Sequence, residues 1–138
     1  MDCREAERLL EEYIRGLLDW KDADYISRLK KLGWSDGEAY ALAAWDWHHG
    51  VGIYCLCKQY KLSGDKRIFD YIEDWYKIRI KEGLPPKNVN TIAPLITLAS
   101  IYDERPSQSF CDVLHEWAEW IMNDMPPHKG RRHTASAR

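Results

Sequence analysis

The sequence predicts an all-α fold built from stacked helical hairpins, and three observations carry that prediction. Strand-type alternation is almost absent, while apolar residues recur at helical spacing over most of the 138 residues. Turn residues punctuate the periodic segments, as in "SGD" at Ser63–Asp65 and "EGLPPKNVN" at Glu82–Asn90. The chain also repeats itself. A shift of 42 positions sets Ile53 on Leu95, Leu56 on Leu98, Tyr60 on Tyr102, Ile68 on Phe110 and Trp75 on Trp117, and it also pairs Tyr71 with Val113, Ile72 with Leu114 and Ile78 with Trp120. Each repeat is a helix, a short turn and a second helix, a unit that buries little until it stacks on a neighbour.

In chain order, Leu9, Leu10, Tyr13, Ile14, Leu17 and Leu18 form one face of a first helix that ends near Asp19–Trp20. Ser35 or Asp36 caps the next, with Glu38 supplying a capping-box acid three residues after Ser35. That helix is expected to reach about Leu62, broken or loosened around His48–Gly50. After the "SGD" turn, a helix carries Ile68, Ile72, Trp75 and Ile78 until the Pro and Gly of "EGLPP" stop it. A further helix starts near Thr91 with Pro94 in its first turn, and Asn90 is placed to cap it. The last begins after "RPSQS" and carries Phe110, Val113, Leu114, Trp117 and Ile121.

Composition narrows the function classes. A net charge of −2 offers no general attraction for nucleic acid or anionic lipid. No window approaches the roughly 18 apolar residues of a membrane span, and the charged start "MDCREAERLL" is not a signal peptide. The expected setting is therefore the cytoplasm. Four cysteines in that setting read as reduced thiols packed as small hydrophobes; Cys55 and Cys57 diverge on a helix and chelate poorly, so no metal or cofactor is expected. Seven Trp and eight Tyr against two Phe point the other way, toward surfaces that combine ring area with hydrogen bonding. Sugar sites use that combination, because C–H faces stack on rings while hydroxyls need polar partners.

Three segments are candidate sites. "WDWHHG" (Trp45–Gly50) reads either as a tightly packed helix entry, where Gly50 admits a neighbouring backbone, or as a ligand rim. "KNVNTIAP" offers Asn90 as a helix cap, as a sugar-hydroxyl partner, or as both. "HEWAEW" (His115–Trp120) reads as packing, since it lacks the second histidine of a zinc motif.

These segments together resemble the unsaturated rhamnogalacturonyl hydrolases of glycoside hydrolase family 105. The resemblance runs from about Leu32 to Pro126 and rests on W-x-W-x-x-G-V-x-x-Y, G-L-P-x-K-N-V-N-T-x-A-P and E-W-A-E-W, in that order. It implies an (α/α)6 barrel, six helical hairpins closed into a ring, of which this chain would form an incomplete toroid. It also implies a substrate: a 4,5-unsaturated uronic acid linked to rhamnose, left by pectin cleavage. In such enzymes an aspartic acid protonates the vinyl ether and water adds, replacing the usual two-carboxylate displacement.

By the resemblance, Trp47 lines the pocket mouth with His49 beside it. Asn90 occupies a position where many relatives carry a substrate-positioning aspartate; an amide there binds and orients but does not titrate. The family's general acid is expected beyond Arg138, so the chain alone is expected to be inactive. Residues 1–126 are assigned to the six-hairpin domain, and 127–138 to a basic tail that reads as disordered or non-native. The segment "GRRHT" in that tail is alternatively a worn pocket motif, which would make His133 a substrate-binding histidine. The rival to a hydrolase fragment is a non-catalytic helical-repeat module that binds a protein partner, and uncovered helix faces also favour self-association.

Overall fold

The computed structural model describes residues 2–19 and 23–126. The tail 127–138, and with it His133, lies outside the described residues. Among the described residues seven helices follow one another: α1 (Cys3–Asp19), α2 (Ala23–Lys31), α3 (Asp36–Ala44), α4 (Trp47–Ser63), α5 (Lys66–Glu82), α6 (Ala93–Tyr102) and α7 (Gln108–Asn123). There is no strand among the described residues.

The two repeat units are the α4–α5 and α6–α7 hairpins. Their first helices lie side by side in the most extensive helix pairing among the described residues, and α5 and α7 each pack back onto their own partner. Ile53, Leu56, Ile68 and Trp75 are buried in the first unit, as are Leu95, Leu98, Phe110 and Trp117 in the second. The match is looser elsewhere, since Tyr71 and Ile78 are exposed although Val113 is buried.

A ring cluster occupies the centre. Trp45 stacks on Trp75 with centroids 5.3 Å apart, and Tyr76 meets Trp75 edge-on at 5.0 Å. The Tyr76 hydroxyl donates to the Pro94 carbonyl at 2.6 Å, and Trp45 Nε1 donates to the Thr91 carbonyl at 2.9 Å. These two bonds fasten the start of α6 to the ring cluster. Removing one tryptophan ring from water contributes on the order of 5 kcal/mol.

Local signals set most boundaries. Ser35 caps α3, its hydroxyl accepting from Glu38 N at 3.3 Å while Ser35 N donates to the Glu38 carboxylate at 3.2 Å. Gly64 ends α4 at φ 69°, a left-handed conformation that suits glycine, and Asp65 then caps α5 through the Arg67 amide at 2.9 Å.

Several expectations are corrected. α2 has no counterpart in the sequence reading; its nine residues carry too short an apolar pattern in Tyr25, Ile26 and Leu29 to stand out. The α3–α4 break falls at Trp45–Asp46, two residues before the expected one, because Asp46 turns extended and its carboxylate accepts the Trp47 amide at 2.7 Å. Asn90 does not cap α6, which begins at Ala93 with no side-chain cap. Asn88 organises that loop instead: its Oδ1 accepts from the Asn90 and Thr91 amides, and the Thr91 hydroxyl accepts from the Asn88 amide at 2.9 Å. Of the cysteines only Cys57 is buried, where desolvation pushes its thiol pKa up; Cys3 and Cys55 are exposed.

No helix among the described residues is long and apolar enough to cross a membrane.

Candidate functional site

The alternation of "WDWHHG" is resolved by the turn into α4. Trp45 and His49 face inward: His49 is 2% exposed, and its ring lies 6.1 Å from Trp75 in a stacked arrangement. Gly50 sits where α4 crosses the start of α6, and an added Cβ would come within 2.7 Å of the Ala93 carbonyl carbon. Packing therefore explains half of the motif.

The other half faces outward. Trp47 is 46% exposed, and the His48 ring lies 3.7 Å from it, centroid to centroid. Together they border a cleft of about 430 Å³ that His49 and Asn90 also line. Trp47, His49 and Asn90, three of the residues singled out in the sequence, thus share one concavity although 43 positions separate Trp47 from Asn90. His115 lies on the exposed face of α7, 3.9 Å from Glu119, while Trp117 is buried, as the packing reading of "HEWAEW" requires.

Tyr25 and Arg28, which line the cleft together with Ala43, were missed by sequence reasoning, as was the capping role of Asp46 within the segment already singled out. The signal for Asp46 was available, since an aspartate directly before a helix is a recognised cap. For Tyr25 and Arg28 only a weak apolar spacing in "DYISRLKK" pointed to a helix, and nothing local pointed to a site.

Asp46 is the one carboxylate lining this cleft among the described residues, and it is buried. One of its oxygens accepts the Trp47 amide and the other lies 3.6 Å from His48 Nδ1. A carboxylate held in this way is committed to the helix start. The cleft therefore offers a ring face, an amide, a guanidinium and an imidazole, a set suited to holding a polyhydroxylated ligand.

A family model described as Glycosyl Hydrolase Family 88 matches residues 25–135. A solved structure from Salmonella enterica serovar Paratyphi A, described as a possible member of the GH105 family, is 35% identical and superposes with a TM-score of 0.72. A second, from Klebsiella pneumoniae and described in the same terms, is 28% identical with a TM-score of 0.68. Each is matched over 100% of this chain and 37% of its own length. The unsaturated rhamnogalacturonyl hydrolase YesR of Bacillus subtilis is 24% identical over 83 residues, 60% of this chain and 24% of that protein. The chain thus spans well under half the length of these relatives, and its helices correspond to an arc of their (α/α)6 barrel. With most of its length matched and the fold shared, the chain belongs to glycosyl hydrolase family 88.

Proposed function

We propose that this chain supplies one wall of the sugar cleft of a hydrolase acting on 4,5-unsaturated galacturonyl-rhamnose disaccharides in the cytoplasm. The observation that carries the reading is the convergence of Trp47, His49 and Asn90 on one cleft. The exposed Trp47 face stacks on the sugar, Asn90 hydrogen-bonds its hydroxyls, and His49 shapes the floor from the ring cluster beneath. His133, outside the described residues, is assigned to the same pocket by its family-like segment alone.

In the proposed reaction an acid protonates C4 of the C4=C5 bond, and water adds at C5 with loss of its proton. The hemiketal opens and releases rhamnose. Asp46 is occupied in capping α4, so the acid comes from elsewhere in the ring and this chain alone is inactive.

The test follows the ultraviolet absorbance of the unsaturated uronate. The chain alone is expected to leave it unchanged, and a longer chain carrying the remaining family helices to remove it. In that longer chain Trp47→Ala is expected to raise KM about tenfold, the scale of a lost ring–sugar contact. Turnover by the short chain at the rate of the longer one would overturn the proposal.

A second reading has one observation in its favour. Val51 and Ile96, 53% and 58% exposed, border an apolar groove between α4 and α6 together with Tyr54. A non-catalytic module would use that face for a protein partner or for a second copy of the chain. Light scattering of the chain alone separates these: a concentration-dependent mass that Val51→Asp and Ile96→Asp abolish favours self-association.

A further inference from the structure

We propose that Arg28 is the residue that makes this cleft prefer an acidic sugar over a neutral one; the inference rests on the sugar-cleft reading above. Arg28 reaches the cleft from α2 and is the one permanent cation lining it among the described residues. An exposed arginine is ordinary, but its surroundings here are not. The guanidinium lies 5.8 Å from the Tyr25 ring centroid, so an aromatic face supports it on the cleft side. No carboxylate of the described residues forms an ion pair with it; Arg4 and Arg15 share that trait but do not line the cleft, and Arg8, Arg67, Arg79 and Arg105 each have an acidic partner.

Asp46, the carboxylate that lines the same cleft, is already engaged with the Trp47 amide and His48. The charge of Arg28 is therefore left for a ligand. A guanidinium presents two parallel N–H groups that match the two oxygens of a carboxylate, and Trp47 and Asn90 border the same cleft to hold the ring and hydroxyls. A uronate carries both features. Recognition of this kind discriminates by charge, because a neutral ester offers the same shape without the paired oxygens.

The experiment compares binding of the unsaturated galacturonyl-rhamnose disaccharide and of its methyl ester, by titration calorimetry, to the chain and to two variants. The unaltered chain is expected to bind the acid about tenfold more tightly than the ester, the scale of one charge-assisted pair. Arg28→Gln should bind acid and ester alike, with ester affinity unchanged, and Arg28→Lys should keep part of the preference. An undiminished acid preference in Arg28→Gln overturns the role of Arg28 and leaves the sugar cleft standing. Failure of the unaltered chain to bind either compound removes the sugar cleft itself. Should Arg28→Gln also lose the ester, Arg28→Lys decides: a retained preference supports the charge role, and equal affinities reject it.

Discussion

Two regions meet at the cleft, and they are held by different means. The hairpins α4–α5 and α6–α7 share one continuous core in which Trp45, Trp75, Tyr76, Phe110 and Trp117 are almost wholly buried. The pair α2–α3 has a cluster of its own, with Leu29, Ala39 and Leu42 buried and Tyr25 and Ile26 packed against it. The first region places Trp47, His49 and Asn90; the second brings Tyr25 and Arg28 to face them. The difference teaches that one wall of the cleft is anchored in a ring-filled core, while the other hangs on nine-residue helices over a small apolar patch. Local opening is expected to begin in the second region, because the depth of apolar burial sets the local free energy.

The largest effect expected is that of Trp75→Ala. The ring lies under both Trp45 and His49, and its loss should cost about 3–5 kcal/mol in denaturant unfolding. A loss below about 1 kcal/mol would mean that the ring cluster is not the anchor and would break the contrast drawn above. Gly50→Ala comes next, at about 1–3 kcal/mol, because the new methyl meets the Ala93 backbone and Pro94 N at 2.7–2.8 Å and α4 and α6 must separate. Its crystal structure should show α6 displaced and Asn90 moved relative to Trp47.

Leu29→Ala tests the other side. Its cost is expected at the low end of the buried-leucine range, about 2 kcal/mol, and confined to one region. Amide exchange should quicken in α2 and α3 and stay unchanged in α4 to α7. Equal acceleration throughout would show that the two regions open as one unit.

The smallest effect is Ser35→Ala, about 1 kcal/mol for a lost N-cap acceptor, again expressed as faster exchange in α3. It carries a pH signature. Hydrogen bonds from the Ser35 side chain and backbone hold the Glu38 carboxyl below its ordinary range. A carboxyl lowered in the folded state stabilises above the ordinary carboxylate range, and that contribution disappears as pH falls through the lowered value. Acidification should therefore speed α3 exchange in the unaltered chain, and less so in Ser35→Ala. An identical pH response in both would detach the capping box from the stability of α3.

The legibility of the molecule follows the same division. Helical class, the doubled hairpin, the Ser35–Glu38 capping box and the Gly64 stop were all readable, because each rests on residues within a few positions of one another or on a long periodic pattern. The inward burial of Trp75 and Trp117 followed from the repeat. α2 was not readable, since nine residues with three apolar side chains give little periodicity and their burial depends on α3. The part played by Asn88 was not read, and Asn90 was wrongly given the cap, for a related reason. Asn88 and Asn90 have the same chemistry, and which one organises the loop is set by where Trp45 and Tyr76 fasten the chain beyond it.

What the sequence alone determined is the two repeated hairpins, the Ser35–Glu38 capping box and the apolar faces that oblige hairpins to stack. Only the tertiary structure decided which rings of "WDWHHG" became core and which became rim, and that α2 brings Arg28 opposite Asn90. Periodicity and capping are local energies carried by neighbouring residues. The two sides of a cleft are joined only when distant helices bury their faces together.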